Sequence, residues 1–387
     1  MMKHLFFLTV FASALFSTGC ATISGIGTDN NPKPTKLVNF KSAFIPHQLW
    51  IQKTGSGFKQ DYLKFSPAYA NGILYTAAPE GKISAITAST GKNLWTFDTH
   101  SSLMSNLSVG YGKLLIGTQE GLILAIDSAN GHLLWKIQVP GQVLATPLIT
   151  EKLIFIKTQD GNISALDTET GHINWTLAHK SPTITLRASS APQIKDEKLI
   201  VGFSDGKVAA YEAKTGKLYW EQAIALQKGI TFIQQMLDID ADPIIDNNII
   251  YAAAYQGNLM ALTLQEGKPI WEQPLSSYTG LTIDKNAVYI TDENSYVYSF
   301  DKKTGHILWK QNKLYGRRIT APVILNNALI VGDGEGYIHW LSLEDGHFLA
   351  RIRVNKSGII ATPLVQNNTL FFTTENGFLS AYSVFKN

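Results

Sequence analysis

Residues Pro147 to Trp175 read Pro-Leu-Ile-Thr-Glu-Lys-Leu-Ile-Phe-Ile-Lys-Thr-Gln-Asp-Gly-Asn-Ile-Ser-Ala-Leu-Asp-Thr-Glu-Thr-Gly-His-Ile-Asn-Trp. The apolar residues alternate or fall in short blocks, the spacing of strands and not of helices. Turn residues interrupt the blocks at Glu151-Lys152, Asp160-Gly161 and Thr170-Gly171. The stretch therefore predicts a meander of four strands with Trp175 on the last.

The same frame recurs along the chain. Gly161/Ala165/Gly171/Trp175 is repeated at Gly81/Ala85/Gly91/Trp95, Gly121/Ala125/Gly131/Trp135, Gly206/Ala210/Gly216/Trp220 and Gly257/Ala261/Gly267/Trp271. Degenerate copies follow at Ser295/Ser299/Gly305/Trp309 and Gly336/Trp340/Gly346/Ala350, and a truncated one at Gly377/Ala381. Each is preceded at fixed distance by a proline or leucine: Pro67, Leu107, Pro147, Pro192, Pro243, Leu281, Pro322 and Pro363. Repeats of roughly 40 residues with four strands each indicate an all-β fold, an eight-bladed β-propeller of four-stranded antiparallel blades. The eighth unit lacks its outer strand, and His47–Lys53 carries Trp50 at the tryptophan position without a unit of its own. That segment is expected to close the ring and so remove its open edges.

Three regions are expected: a signal peptide over 1–19, a flexible N-terminus over 20–43, and the propeller over 44–387. Met1–Cys20 has Lys3 and His4, an apolar run Leu5–Phe16 and the small residues Ser17-Thr18-Gly19 before Cys20. The apolar run is too short to span a bilayer. Cys20 is the only cysteine, so no disulfide forms within the chain. Its position resembles the lipobox of bacterial lipoproteins, in which the thiol is acylated; Ser17 departs from the usual leucine. An ordinary secretory signal is the alternative. Ala21, where aspartate would favour inner-membrane retention, suggests the outer membrane. Residues 21–43 are rich in Gly, Asn, Pro, Thr and Lys, a tether composition. The net charge is +3 with 16% charged residues, and no basic run is interleaved with aromatics, which argues against nucleic acid.

Each complete unit has the same length from proline to tryptophan, and all variation lies in the crossing from one unit to the next. The longest crossings are Trp175 to Pro192 and Trp220 to Pro243. A scaffold that varies one class of connection places its specific contacts there. The first carries Ile184, Leu186 and Arg187; the second carries Phe232, Ile233, Met236, Leu237, Asp238 and Asp240, and room for a helical turn. Apolar side chains beside Arg and Asp suit a protein-binding spot. Equally, the apolar residues could tuck under the loops while the aspartates cap turns. The crossing face also carries Glu80, Glu120, Asp160, Asp205 and Glu335; the opposite face carries Lys92, His132, His172, Lys217, Lys268, His306 and His347. The tether is expected to enter on that second, basic face, turning it toward anionic lipid.

The tryptophan frame is similar to the docking motif of quinoprotein alcohol dehydrogenases, which use pyrroloquinoline quinone and calcium beneath a vicinal cysteine pair. One cysteine cannot supply that pair, and the acidic residues are scattered turn residues. The histidines follow turn glycines in separate blades, which suits surface positions better than a metal site. Gly332-Asp-Gly-Glu-Gly336 lacks the Lys-Ser/Thr of a phosphate loop and reads as a hairpin turn. No catalytic residue, cofactor or metal is assigned.

With a lipobox, a tether and eight such repeats, the chain resembles the BamB family, lipoproteins of the bacterial outer-membrane β-barrel assembly machinery. The specific motifs are Ile184-Thr-Leu186-Arg187 before Ser-Ala-Pro192, Leu237-Asp238-Ile-Asp240 before Pro243, and Gly332–Trp340. Ile184 replaces a usual leucine and Ala188 a glycine. The resemblance implies a non-enzymatic scaffold, lipid-anchored at Cys20 to the outer membrane and facing the periplasm. It implies binding to the POTRA domains of BamA through Ile184, Leu186, Arg187, Asp238 and Asp240. Unfolded β-barrel clients are further expected partners, with the chain a monomer within a multi-subunit complex. A quinoprotein-type dehydrogenase and a glycan-binding periplasmic propeller are the alternatives.

Overall fold

A computed structural model describes residues 32–58, 64–180, 182, 185, 190–226 and 236–384. Among them, strands form eight four-stranded antiparallel sheets, one per repeat. In the third blade the order is Leu148–Ile149, Leu153–Lys157, Asn162–Asp167 and Ile173–Ala178, from the inner edge to the outer. The eight-bladed propeller expected from the repeats is the fold observed.

The ring closes as the position of Trp50 requires. His47–Lys53 pairs antiparallel with Phe378–Ser383, with Trp50 opposite Ala381. The same pairing of tryptophan with the small residue of the frame holds for Trp95 and Ala85 and for Trp175 and Ala165. One blade is thus stitched from both ends of the propeller, so opening it exposes two sheet edges at once.

The tryptophans join neighbouring blades. The Trp50 indole N–H donates to the Ala88 carbonyl at 2.9 Å, Trp220 to Leu264 at 3.1 Å and Trp309 to Leu343 at 2.8 Å. Each ring lies on the turn glycine of the next blade. Gly91 has φ 71°, and a Cβ there would sit 2.7 Å from the Trp50 ring. Both the left-handed backbone and the close approach therefore demand glycine. Between the sheets, aliphatic side chains such as Ile83, Leu114, Ile116 and Leu124 are buried in continuous clusters.

The seventh blade differs. Its third strand carries Trp340 opposite Ala350, the reverse of the usual order. Residues 35–44 run along this blade: Ala43 donates to the Leu349 carbonyl at 2.7 Å, Phe40 stacks on Phe348, and Phe44 meets Trp340 edge-on. The tether expected over 20–43 therefore ends earlier, because Leu37, Phe40 and Phe44 pack against the core clusters.

The path of this strap also corrects the expected entry face. Thr35 donates its N–H to Tyr315, and its hydroxyl lies within hydrogen-bond distance of the Lys313 and Tyr315 carbonyls, on the crossing between the sixth and seventh blades. The chain thus reaches the crossing face by Thr35, not the basic face. Below it lies a buried polar network. Asp333 accepts from Arg317 Nε at 2.7 Å and lies 2.8 Å from His339 Nε2, while Arg351 Nε donates to His339 Nδ1 at 3.2 Å. These contacts fix His339 as the neutral Nε2–H tautomer. The two arginines also donate to the strap, Arg317 to the Thr35 carbonyl and Arg351 to that of Val38, both at 3.0 Å. The run at Gly332–Gly336 is a hairpin turn as expected, and its aspartate organises this network.

Candidate functional site: two neighbouring crossings

Ile184, Leu186, Arg187, Phe232 and Ile233 lie outside the described residues, as does Cys20. What the structure describes is how the two long crossings are rooted.

The first crossing leaves the third blade at His179, which stacks on Phe203 with ring centroids 3.7 Å apart. His179 Nε2 is 3.0 Å from Asp205, and Lys207 joins Asp205 to Glu221. Asp205 keeps a lowered pKa: burial opposes its charge, but the contacts with His179 and Lys207 outweigh it. The crossing ends at Ser190 and Ala191, both buried.

The second crossing ends in an alternating stretch, Leu237-Asp238-Ile239-Asp240-Ala241-Asp242. In extended chain, alternate side chains share a side. Leu237, Ile239 and Ala241 are buried, the first two in the cluster between the fourth and fifth blades, and Asp238 is fully buried as well, so only Asp240 and Asp242 of the three aspartates reach solvent. The Asp238 carbonyl accepts from Tyr255 N–H at 2.8 Å, which pins the stretch to the fifth blade. For Leu237 the tucked alternative is therefore the observed one, whereas Met236 remains half-buried.

The aspartates face a lysine that sequence spacing did not reveal. Lys157, at the end of Leu153–Lys157, is buried; its ammonium donates to Ser190 Oγ at 2.9 Å and to the Gly202 carbonyl at 3.0 Å. Burial lowers its pKa to about 8, against the pull of Asp238, Asp240 and Asp242. Asp242 accepts from the Ala191 N–H at 2.6 Å, joining the end of one crossing to the end of the other. Water reaches Asp242, but the surrounding protein raises its carboxyl to about 6, opposed by the Ala191 N–H and by Lys157. Asp240 lies 3.8 Å from Lys64, whose ammonium sits over the Tyr278 ring at 5.3 Å. The two crossings therefore share one charge cluster. The strict alternation of 237–242 was a sequence signal for Asp242; nothing in the sequence points to Lys157 or Lys64.

Of these groups Lys64, Asp240 and Asp242 open onto the central funnel, a cavity of about 460 Å³ lined also by Ser66, Asn106, Thr146 and Tyr278. Asp242 and Asp240 are engaged there by the Ala191 amide and by Lys64. Among the described residues, no three His, Cys, Asp or Glu side chains come together as metal ligands.

Comparison with known proteins sharpens the assignment. Quinohemoprotein alcohol dehydrogenase from Comamonas testosteroni superposes with a TM-score of 0.72 at 13% identity, over 88% of this chain and 76% of that one; the likeness is of fold alone. The funnel does not fit that enzyme class's quinone and calcium, since the chain's single cysteine cannot supply a vicinal pair and the funnel acids already have cationic or amide partners. A solved structure of BamB from Moraxella catarrhalis gives a TM-score of 0.80 at 25% identity, covering 88% of this chain and all (100%) of that one. The outer membrane protein assembly factor BamB of Legionella pneumophila is 40% identical over 321 residues, 82% of this chain and 84% of that protein. A family model described as outer membrane protein assembly factor BamB matches residues 79–311. With the ring, its closure and these matches in agreement, the chain belongs to the BamB family of outer membrane protein assembly factors.

Proposed function

We propose that this chain is a non-catalytic scaffold of the outer-membrane β-barrel assembly machinery that binds the POTRA domains of BamA through its two long crossings. Acylation at Cys20, after removal of residues 1–19, anchors it to the periplasmic side of the outer membrane. The observation that carries the proposal is the Asp242–Ala191 hydrogen bond, which draws the two crossings into one platform. On that platform Arg187 supplies charge-assisted hydrogen bonds, Ile184 and Leu186 apolar anchors and Asp240 the accessible acid, while Asp238, fully buried, acts from beneath by facing Lys157. Rigid roots reduce the ordering cost of binding. Docked there, the scaffold assists folding and insertion of β-barrel clients.

Co-purification with BamA tests it. Arg187→Ala or Leu186→Asp should abolish recovery of BamA while leaving the thermal midpoint unchanged. Loss of folding in step with loss of BamA would show these residues to be structural and overturn the assignment.

A further inference from the structure

The strap brings the chain onto the crossing face at a rim that is basic and aromatic. Lys310 lies over the rings of Tyr296 at 4.2 Å and Tyr298 at 4.9 Å, and Tyr296 packs against Tyr315 with centroids 5.6 Å apart. The Tyr315 carbonyl holds Thr35. Arg317, which grips Thr35 from below, and Arg353 both lie over the Tyr337 ring, at 5.4 and 5.1 Å. Lys310, Tyr296, Tyr315, Thr35, Tyr337 and Arg353 are thus one continuous surface across the outer ends of the sixth and seventh blades. Lys33, Lys36, Lys313 and Lys356 add exposed cations around it. None of these four, nor Lys310 or Arg353, is paired with a carboxylate among the described residues. The acids beside them are the buried Asp292, which lies near Lys310 without reaching ion-pair distance, and the exposed Glu293, which accepts from Ser276, and Glu335.

We propose that this rim, at the outer ends of blades six and seven, seats on the anionic headgroups of a lipid bilayer. Three observations favour a membrane over an acidic protein. Half-buried tyrosines beside exposed lysines match the amphipathic chemistry of the headgroup region, where aromatic rings and long cationic side chains concentrate. The strap delivers the chain's N-terminal side to this rim and not to the opposite face. The cations are unpaired and spread along an edge, suited to a plane of negative charge and not to one carboxylate pocket. The inference rests on the reading that residues before Thr35 lead to a lipid anchor. With the rim against the bilayer, the crossings over blades three to five stay clear of it for a protein partner.

Flotation with vesicles tests the rim independently of the acyl chain. The chain from Ala21 onward contains the complete ring and lacks both leader and thiol. It should float with vesicles of phosphatidylcholine and phosphatidylglycerol at low salt, and should not float with phosphatidylcholine alone. Raising the salt should release it, since these charges act only within a Debye length. Each basic residue near such a surface is worth about fivefold in partitioning, so the triple variant Lys310→Glu/Lys313→Glu/Arg353→Glu should bind at least roughly a hundredfold more weakly. The triple variant Lys92→Glu/Lys217→Glu/Lys268→Glu, on the opposite face, should float as the parent does. Circular dichroism checks that both variants fold. Absence of flotation by the parent chain, or its loss only in the opposite-face variant, would overturn the proposal. So would a rim variant that floats normally but no longer recovers BamA, which would make the rim a protein surface. BamA recovery through Arg187 is scored separately, so failure of the rim leaves the platform reading standing.

Discussion

Asp242 accepts the Ala191 N–H at 2.6 Å across the gap between two crossings that are far apart in the chain. Each crossing is rooted in its own blades, by His179 on Phe203 and by Leu237 and Ile239 in the core. The bond between Asp242 and Ala191 turns two separately anchored loops into one surface. Its removal should therefore alter binding more than folding.

Asp242→Ala should lower BamA recovery several-fold, whereas Asp242→Asn, which keeps an oxygen acceptor for Ala191, should retain most of it. The pH dependence separates the two states of the carboxyl. Its pKa is raised, so its contribution to stability is present below the unfolded value of 3.8 and lost as pH rises through about 6. Relative to Asp242→Asn, the wild-type protein should thus weaken between about pH 4 and about pH 7, by an amount reduced by funnel water. Urea unfolding at both ends of that window measures it; a constant difference would show that the carboxyl does not titrate there.

Lys157→Met keeps the buried volume but removes the donor to Ser190 and the charge facing three aspartates. At neutral pH it should destabilise by about 2–4 kcal/mol and quicken proteolysis of the first crossing. The lysine pKa is lowered, so its contribution is present above the unfolded value of 10.5 and lost as pH falls through about 8. The wild-type protein should accordingly gain on Lys157→Met as the solution becomes alkaline across that range.

Trp50 and Trp135 occupy the same position in different blades, but only the Trp50 indole N–H has an acceptor, whereas that of Trp135 has none among the described residues. Trp50→Phe should cost about 1 kcal/mol more than Trp135→Phe through that hydrogen bond. Chemical denaturation of the pair decides it, and equal losses would mean that ring packing alone joins the blades.

Arg351→Met should free the strap, and limited trypsin digestion at Lys36 and Lys41 reports it. Cleavage should rise several-fold with the propeller intact. Acid should act in the same direction. Burial lowers the pKa of His339, and Asp333 is held low by His339 and Arg317 in spite of its burial. Both contributions are present above the unfolded values and are lost as pH falls through the folded ones. Strap cleavage that stays unchanged as the pH falls below the usual histidine range would show the network is not what holds Thr35 and Val38.

The repeat in the sequence determined the number of blades, the position of the turn glycines that receive the tryptophan rings and the closure through Trp50. A strand alternates its faces every residue, and a glycine that must receive an indole ring tolerates nothing larger. Those constraints are local, so they are written at fixed spacing. The strap was not legible, because its apolar residues are few and its partners distant: Thr35 meets Lys313, and Val38 meets Arg351. The composition of residues 21–43 suggested a tether, and only the packing of Phe40 on Phe348 and Phe44 on Trp340 decided otherwise. Likewise Asp238 and Asp240 stood out by their motif, while Lys157, Lys64 and the role of Asp242 emerged only when the ring brought blades together. Pairings between residues remote in the chain carry no spacing to read; the closed ring, by fixing where each blade end lies, chose them.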